Sequence, residues 1–423
     1  MLLKGKLLIF NVLILFILTL LTAGCDNSWH KEKVTVAISS ELFNRHNERE
    51  YFIYKILDPL SKELGINIEF IAVGDSTNRK RVDFQKYWKN VTIDIAIVSS
   101  GTMSNWITKG YLEDLTDTLK EWKFVNFLPV SKIETIYKGR TYFVPLVGNV
   151  YLLIANKKAL KYLPDNADIN NLTWEEFAQW AVNIKSYNGF GKTLMCGASK
   201  SSFTYQFGSC AISYGSEFPS VDSPGALKAW EIFSKIADAN AFVPNVRVIA
   251  NPIESMQNEK AWISVLGNYS IGEICDLNPD RYVVADMPIG SAGRGVIFGF
   301  NGMALLKSSK QKEKAIQIIK YLSRPDIQLK IARGTGGYIP AEIKSLKSLN
   351  PDRPRDLVII KAVNELFSKI VAFGIPSGKY KDWNSVKEVF DILFQKYLLS
   401  GKDLDNKILK EASEKLNNLK RKE

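Results

Sequence analysis

VTVAISSELFNRHNEREYFIYKILDPLSKELGINIEFIAV, residues 34–73, is the stretch that decides the fold. Its two ends, 34–39 and 66–73, alternate apolar and other side chains and are rich in β-branched residues, which predicts two strands. Between them, residues 47–64 place apolar side chains at helical spacing, and Gly65 ends the predicted helix. A strand, a helix and a strand with short links form a parallel βαβ unit. The sequence therefore predicts an α/β fold.

The remainder of the chain continues this alternation. Residues 140–160, RTYFVPLVGNVYLLIANKKAL, are extended, and Pro145 and Gly148 predict a broken strand that crosses between two lobes. Further strands are expected within 92–100, 260–274, 282–290 and 298–309. Helices are expected at 105–116, 172–184, 222–239, within 312–340 and over most of the chain from 356.

Two of these helices carry capping signals. Thr173 and Glu176 form the pattern of a capping box at the start of the 172–184 helix. Ser223 followed by Pro224 marks the start of the 222–239 helix. The predicted buried stripe of the second helix is Leu227, Trp230, Phe233 and Ile236.

The first 25 residues have the order of a secretion signal. Lys4 and Lys6 precede an apolar run from Leu7 to Leu21, and the small residues Ala23 and Gly24 lead to Cys25. The run is about 15 residues, short for a membrane-spanning helix of about 20. The alternative is a short anchor that stays attached. Ala23-Gly24-Cys25 resembles the lipobox of bacterial lipoproteins, although Thr22 stands where leucine is usual. The resemblance implies cleavage before Cys25, a lipid on its sulfur and a location outside the cytoplasmic membrane.

Composition narrows the function classes. The 423 residues carry a formal net charge of +12, but the lysines are scattered, so no nucleic-acid motif is indicated. The chain holds two histidines, His30 and His46, which argues against a histidine zinc site or a Ser-His-Asp triad. Glycine-rich 290–295 and 334–338 lack the context of a phosphate-binding loop and predict turns. We expect no enzyme, no cofactor and no metal.

Five stretches, in order, resemble the extracellular solute-binding proteins of ABC transporters, in the sugar-binding group of maltose-binding protein. Ile93-Asp94 stands where that family has Pro-Asp, and Asn156-Lys157 keeps the end of its Tyr-Asn-Lys motif, with Ala155 in place of tyrosine. The stretches are TIDIAIVSSGTMSNWITKGYLEDLT (92–116), YKGRTYFVPLVGNVYLLIANKKAL (137–160), LTWEEF (172–177), NEKAWISVLGNYSIGEI (258–274), and MPIG (287–290) with GFNGMALLKSSKQKEKAIQIIKYLSRPDIQ (299–328).

The resemblance implies two lobes of the type II periplasmic-binding-protein-like fold, each a mainly parallel sheet flanked by helices and joined by a hinge. The expected boundaries are 1–24 for the signal, 25–33 for the tether, 34–147 with 286–338 for the first lobe, and 150–284 with 340–423 for the second. The expected hinge residues are Val147, Gly148, Asp286 and Gly337. The implied function is capture of a carbohydrate by a lipid-anchored monomer that closes on it and delivers it to ABC transporter permease subunits.

Ligands of such folds bind beyond the carboxyl ends of the strands, and sugars suit aromatic platforms beside amides, carboxylates and hydroxyls. Those rules select the candidate ligand contacts Ser39, Ser40, Glu41, Ser99, Ser100, Trp106, Asn149, Tyr151, Asn268, Tyr269, Phe300, Asn301 and Tyr338. For the serines the alternative is helix capping, and for Tyr151, Phe300 and Trp106 it is packing. Trp174, Trp180 and Trp230 are expected to pack, and Asp94 to be structural.

Three other functions stay open on the sequence. The same fold could bind an anion, a polyamine or a peptide, or it could serve as the sensing partner of a kinase. A secreted glycosidase would need two carboxylates facing a cleft, and no acidic residue here lies in a recognisable catalytic setting.

Overall fold

The computed structural model describes residues 33–39, 42–43, 46–73, 92–122, 126–133, 135–195, 202–246, 249, 251–367, 370–373, 379–401 and 405–421. The predicted signal, most of the tether and Cys25 lie outside these residues. Among the helices that are described, none combines the length and the apolar character needed to cross a bilayer.

Strands and helices alternate along most of the chain, as the sequence predicts. The strands are β1 (Lys33–Ser39), β2 (Asn67–Val73), β3 (Ile95–Ser99), β4 (Ile136–Tyr137), β5 (Arg140–Thr141), β6 (Val144–Asn156), β7 (Thr193–Leu194), β8 (Ile263–Gly267), β9 (Tyr282–Ala285), β10 (Gly295–Leu305), β11 (Ile339–Pro340) and β12 (Ile370–Phe373).

The helices cover the faces and the edges of the sheet. They are α1 (His46–Tyr51), α2 (Asp58–Leu64), α3 (Ser100–Thr108), α4 (Thr116–Glu121), α5 (Pro129–Ile133), α6 (Trp174–Asn188), α7 (Ser202–Ser213), α8 (Pro224–Asp238), α9 (Pro252–Gln257), α10 (Asn268–Leu277), α11 (Lys312–Leu322), α12 (Pro325–Gly334), α13 (Ile343–Leu346), α14 (Pro354–Phe367), α15 (Trp383–Lys396) and α16 (Asn406–Leu419). A π-helical segment, Phe52–Leu57, joins α1 to α2.

The βαβ unit at the start of the chain is confirmed. β1 pairs in parallel with β2 on one side and with β3 on the other. Gly65 ends α2 in the left-handed conformation, at φ 65°. Asp94 accepts a hydrogen bond from the backbone N–H of Thr35 at 2.8 Å and from the Ser309 hydroxyl at 2.6 Å, which confirms its structural role.

β6 joins the two halves of the sheet. Residues 144–150 of β6 pair with β10, and residues 151–156 pair with β8 and β9, all antiparallel. The full order is β2-β1-β3-β10-β6-β8-β7, with β11, β9 and β12 added beside β6 and β10. The sheet is mixed and not mainly parallel as expected, because β10 returns antiparallel to β3 and β6 pairs antiparallel with β8 and β9. The prediction of a strand broken at Pro145 and Gly148 is wrong, because one strand runs through both residues, although its pairing with β10 shifts register between Pro145 and Val147. Because β6 pairs first with β10 and then with β8 and β9, its backbone hydrogen bonds continue across the two halves of the sheet and the strand does not have to end between them.

The helix caps are confirmed, with one correction to a buried stripe. At α6, Thr173 Oγ1 accepts from the Glu176 N–H at 3.1 Å while Glu176 Oε2 accepts from the Thr173 N–H at 2.8 Å. Ser223 caps α8 and accepts from the Ala226 N–H. In the α8 stripe, however, Leu227 is 41% exposed, and Ala226 and Ala229 take buried positions instead.

The indole groups expected to pack do so. Trp174 and Trp180 are fully buried, and Trp230 is 4% exposed. Their Nε1 atoms donate to Ser213 Oγ, to the Ala159 carbonyl and to the Val221 carbonyl, at 3.2, 2.8 and 3.0 Å. Because both the ring and its N–H are satisfied inside the fold, these tryptophans are structural.

Candidate functional site

Half-exposed polar residues form a row where the two halves of the sheet meet. We call Ser99, Asn301 and Asn149 the open row. Asn301 of β10 pairs with Ser99 at the end of β3 and with Val147 of β6, and Asn149 lies two residues along β6. These three side chains are partly exposed. The row therefore marks an opening at the centre of the sheet.

A glycine makes room for the amide of the open row. Gly299 pairs with Asn149 across the β10–β6 ladder. A side chain at Gly299 would start 2.8 Å from Asn149 Oδ1. The glycine therefore leaves the Asn149 amide space above the strand, where it can donate to or accept from a bound molecule.

Aromatic rings continue from Tyr151 along the second half of the sheet. We call Tyr151, Tyr205, Phe218 and Trp383 the aromatic row. The Tyr151 and Tyr205 rings are 6.0 Å apart, and Tyr205 and Phe218 are 6.4 Å apart. Trp383 lies 5.9 Å from Phe218, and its Nε1 donates to the Tyr205 hydroxyl at 3.0 Å. The sequence pointed to Tyr151 alone, since the other three rings come from α7, the loop after it and α15, and share no spacing along the chain.

A second aromatic contact connects the two halves. The Tyr269 and Tyr338 rings stack at 5.0 Å with 8° between their planes. The edge of Phe43 meets Tyr338 at 6.0 Å. Tyr269 follows directly after β8 and is partly exposed, whereas Tyr338 is 5% exposed. Tyr269 therefore has area available to a ligand, and Tyr338 supports it from beneath.

Asn268 was expected to contact ligand, but its amide is bound to the backbone. Asn268 is fully buried at the start of α10. Its Oδ1 accepts from the Val150 N–H of β6 at 2.8 Å, and its Nδ2 donates to the Gly337 carbonyl at 2.5 Å. One side chain thus ties the crossing strand to the glycine turn before β11, and we call this arrangement the asparagine clamp.

Close backbone packing supports the clamp. Gly336 and Gly337 have φ of 88° and 98°, values that glycine adopts readily. A Cβ at Gly272 of α10 would overlap the Gly336 carbonyl oxygen. The turn therefore packs against α10 at a distance that only glycine permits.

Two ion pairs flank the glycine turn, and the pKa values of their carboxyl groups shift in opposite directions, because burial dominates at one and hydrogen bonding at the other. Arg355 pairs with Asp276 at 2.6 Å, and burial raises the pKa of Asp276 despite that cation. Arg333 donates to Asp356 from Nε at 2.9 Å. Burial alone would raise the pKa of Asp356, but the hydrogen bonds from Arg333 and from the Asn350 N–H hold it below its usual value.

The other predicted contacts are buried, with the exception of the partly exposed Ser39 and of two residues outside the described chain. Phe300 is 2% exposed, with its ring stacked between Phe143 and Phe298 at 5.5 and 5.8 Å, and Trp106 is 4% exposed in the core. Ser100 is buried as the first residue of α3. Ser39 ends β1 and is partly exposed. Ser40 and Glu41 lie outside the described residues.

Of the expected hinge residues, Val147, Gly148 and Gly337 lie where the halves meet, whereas Asp286 lies among residues of the second half, since its partner Arg294 also donates to the Asn170 carbonyl. Val147 and Gly148 pair with β11 as well as β10. Asp286 follows β9 and forms an ion pair with Arg294, which stands just before β10. Gly337 lies in the glycine turn.

Cavities also open elsewhere on the surface. Two of about 530 and 630 Å³ share Phe190, Gly191 and the 243–245 segment. A third of about 500 Å³ lies between Tyr51 and α12. None of these three is lined by the open row or the aromatic row.

Comparisons with known proteins agree with this architecture. The sequence profile of the bacterial extracellular solute-binding protein family matches residues 55–351. A putative binding protein of Brucella abortus (strain 2308) is 22% identical over 338 residues, 76% of this chain and 78% of the relative. The putrescine/agmatine-binding protein of Pseudomonas aeruginosa is 23% identical over 254 residues, 58% of this chain and 63% of its own.

The fold is that of solved solute-binding proteins. An ABC transporter solute-binding protein of Thermotoga lettingae TMO, solved with α-D-tagatose, superposes with a TM-score of 0.75 at 21% identity, covering 92% of this chain and 99% of the other. The fold is therefore the two-lobed fold of periplasmic binding proteins, which the sequence predicts. With more than half of its length matched by one family profile, the chain belongs to the bacterial extracellular solute-binding proteins.

Proposed function

We propose that this protein captures a carbohydrate in the cleft between its lobes and delivers it to the permease subunits of an ABC importer. The observation that carries the proposal is the pairing of the open row with the aromatic row. One side offers hydroxyl and amide groups, and the other offers ring faces and edges. Sugars present hydroxyl edges and flat apolar faces, so the two rows match the two surfaces of such a ligand.

In this proposal the first lobe comprises residues 34–147 with 286–338, and the second 150–284 with 340–423. The change of partners along β6 at residue 150 supports that division. The hinge then comprises Val147, Gly148, Asp286 and Gly337. A ligand that contacts both lobes only when they approach binds the closed form better, and so shifts the population toward closure.

The proposed contacts are the partly exposed members of the predicted set, the newly found rings, and Tyr151, which is 9% exposed but lies two residues from Asn149 on β6. Ser99, Asn149 and Asn301 bind sugar hydroxyls, while Tyr151 and Tyr269 pack on the sugar ring. Tyr205, Phe218 and Trp383 extend that apolar wall. Ser39, Ser40 and Glu41 stay candidates at the carboxyl end of β1. Asn268, Phe300, Trp106, Ser100 and Tyr338 take structural roles, because they are buried against other parts of the protein.

A polyamine is the second candidate, favoured by the similarity to the Pseudomonas protein. A polyamine site requires carboxylates to pair with the ammonium groups. The three residues of the open row are uncharged, which favours the sugar. Glu41 is the acidic residue among the predicted contacts. Its substitution should weaken the binding of a polyamine more than the binding of a sugar, which distinguishes the two hypotheses.

The experiment is a thermal-shift screen of the chain from residue 26 against mono- and oligosaccharides, sugar acids, short peptides and putrescine. A ligand at 100 times its Kd should stabilise the fold by about 2.7 kcal/mol. Titration of each hit against Asn149→Ala and Glu41→Gln follows. For a sugar we expect Asn149→Ala to weaken binding about tenfold and Glu41→Gln less. A shift with putrescine alone, abolished by Glu41→Gln, would replace the sugar with the polyamine.

We also propose that Cys25 carries the lipid that holds the protein outside the cytoplasmic membrane. The order of charged, apolar and small residues before Cys25 supports this. In cells, Cys25→Ser should stop lipidation, with release of the protein or retention of the uncleaved precursor. Mass spectrometry of the mature N-terminus distinguishes a lipidated Cys25 from a cut elsewhere. An N-terminus at another residue would contradict the assignment.

A further inference from the structure

A small hairpin presents apolar residues at the edge of the sheet that lies away from the open row. β4 and β5 pair through a turn in which Lys138 and Gly139 have φ of 48° and 76°. Ile136 is 53% exposed and Tyr137 is 36% exposed, although both are large apolar residues. Lys138 Nζ lies 5.6 Å from the centre of the Tyr137 ring. The hairpin therefore places an aliphatic, an aromatic and a cationic side chain together at the surface.

The same edge carries lysines without ion-pair partners. The backbone N–H of Lys307 donates to the Tyr111 carbonyl, and the Leu115 N–H donates to the Thr141 carbonyl, so the end of β10, the 109–115 segment and the hairpin are joined. Lys109, Lys307 and Lys310 are exposed. The described residues contain no ion-pair partner for any of the three.

Two acidic residues of this edge are paired, and Glu313, three residues from Lys310, is an exposed carboxylate beside them. Glu113 bonds Lys312 at 2.8 Å, and Asp114 bonds Arg140 at 2.9 Å. Because these carboxylates are compensated, the three lysines give the edge a net positive potential toward solvent.

The chain enters the fold at this edge. β1 starts at Lys33, and the Thr35 N–H is bonded to Asp94, whose carbonyl accepts from the Leu306 N–H. Ser39 and Ser99 lie at the opposite ends of β1 and β3. The eight links from residue 25 to residue 33 span at most about 28 Å. A lipid on Cys25 would therefore hold this edge within that distance of the bilayer.

We propose that this edge, formed by Ile136, Tyr137, Lys138, Lys109, Lys307 and Lys310, binds the surface of an anionic lipid bilayer. Aromatic rings and aliphatic side chains enter the headgroup region, and lysines are attracted to anionic headgroups. The surface would add to the lipid anchor and orient the first lobe on the membrane. It goes beyond solute capture and does not depend on which solute binds.

A second surface with exposed aromatic residues, at the far edge of the second half of the sheet, serves as a control for the proposed membrane-binding edge. Tyr187 and Phe190 are 76% and 66% exposed there, more than Ile136 and Tyr137. The lysines beside them keep their charge but are held against the fold: Lys185 Nζ donates to the Gly189 carbonyl, and Lys192 Nζ donates to the Glu259 carbonyl at 2.8 Å. This edge lies beyond the start of β8, on the lobe that does not receive the chain start. We expect it to bind membranes weakly despite its larger aromatic exposure.

The test is cosedimentation of the chain from residue 26, which lacks the lipid, with vesicles of phosphatidylcholine alone and with one third phosphatidylglycerol. We expect binding to the anionic vesicles, falling at least tenfold between 50 and 300 mM salt. Each lysine held at an anionic surface contributes up to about fivefold. Lys109→Gln, Lys307→Gln and Lys310→Gln combined should therefore lower the partition coefficient by at least tenfold. Ile136→Ser with Tyr137→Ser should lower it about fivefold.

The control is Tyr187→Ser with Phe190→Ser, which should change the partition coefficient by less than twofold. Thermal unfolding of all variants should match that of the parent protein, since the altered side chains are exposed. Equal binding to neutral vesicles, or an equal loss in the control variant, would overturn the proposal. Variants that keep vesicle binding but lose solute uptake in cells would also overturn it, and would assign the edge to a protein partner.

Discussion

Two asparagines at the centre of this molecule, Asn149 and Asn268, have the same side chain and opposite uses. Asn268 is fully buried and its amide bonds two backbone groups, from β6 and from the glycine turn. Asn149 is partly exposed and its amide lies over Gly299. An amide enclosed by backbone holds the lobes in register, whereas an amide at an opening is available to a ligand. Residue type alone does not separate the two, and burial does.

The largest expected effect is on the buried side. Asn268→Ala leaves the Val150 N–H and the Gly337 carbonyl without partners inside the protein. Each unsatisfied group costs about 1–3 kcal/mol, so we expect the free energy of unfolding to fall by about 3 kcal/mol. Chemical denaturation of the chain from residue 26 measures it. Asn149→Ala is the control and should change the same quantity by less than about 0.5 kcal/mol. If both variants lost the same unfolding free energy, Asn149 would also be a structural residue, and the distinction between the two asparagines would be wrong.

The next effect concerns the glycines around the clamp. Gly272→Ala forces a Cβ against the Gly336 carbonyl, and we expect a loss of about 2 kcal/mol in the free energy of unfolding. At Gly267 the nearest atoms to a new Cβ belong to the Tyr269 ring, at 2.6 Å, and this side chain can shift more easily than a backbone carbonyl, at the cost of its stack on Tyr338. Gly267→Ala should therefore lose less than about 1 kcal/mol in the same denaturation experiment. If Gly272→Ala lost less unfolding free energy than Gly267→Ala, the glycine turn at Gly336 would have to move away from α10 at little energetic cost.

On the open side the expected effect is on binding. Asn149→Ala should raise the Kd of the ligand about tenfold, equivalent to about 1.4 kcal/mol, because one hydrogen-bonding partner is removed. Isothermal titration with the ligand found in the screen measures it. Asn417→Ala, at an exposed position of α16, is the control and should stay within threefold. An unchanged Kd in Asn149→Ala would remove the open row from the site.

The smallest expected effect is on the acid side of the stability curve. The pKa of Asp356 is lowered in the folded state, so its stabilisation is present above its unfolded pKa, near 3.8, and is lost as the pH falls through the lower folded value. The pKa of Asp276 is raised, so its protonation favours folding as the pH falls.

Removing these carboxylates should therefore change the slope in opposite directions. Asp356→Asn should flatten the decrease in the free energy of unfolding below about pH 4, whereas Asp276→Asn should steepen the decrease above about pH 4, where its raised pKa places its titration. Urea denaturation at pH values from 2 to 6 measures both slopes. Slopes that change in the same direction would contradict the assignment of opposite shifts.

The sequence predicted the helices and strands better than it predicted which side chains are available to a ligand and which pack in the core. The capping box of α6, the βαβ start and the buried tryptophans follow from spacing within one element, and all were confirmed. Among the candidate contacts, the strand-end rule led to Ser99 and the expected return crossing led to Asn301, and both residues are partly exposed. The same crossing also led to Phe300, one residue away, whose ring enters the core, because neighbouring side chains on a strand point to opposite faces.

The aromatic row was missed for a physical reason. Tyr205, Phe218 and Trp383 are separated by up to 178 positions, and no local period links them. Trp383 begins α15, and only the packing of that helix against α7 brings its indole to the Tyr205 hydroxyl. Tyr151 alone stood out, because it lies on the crossing strand.

The sequence by itself determined the α/β class, the helix starts and the family resemblance, because hydrophobic period and capping act over a few residues. The tertiary structure alone decided that β6 crosses unbroken, that Asn268 clamps while Asn149 stays open, and that rings from distant helices line one wall. These outcomes depend on which backbone groups and surfaces meet across the fold. Contacts between elements far apart in the chain are set by how those elements pack. The pattern of apolar residues along one element does not predict them.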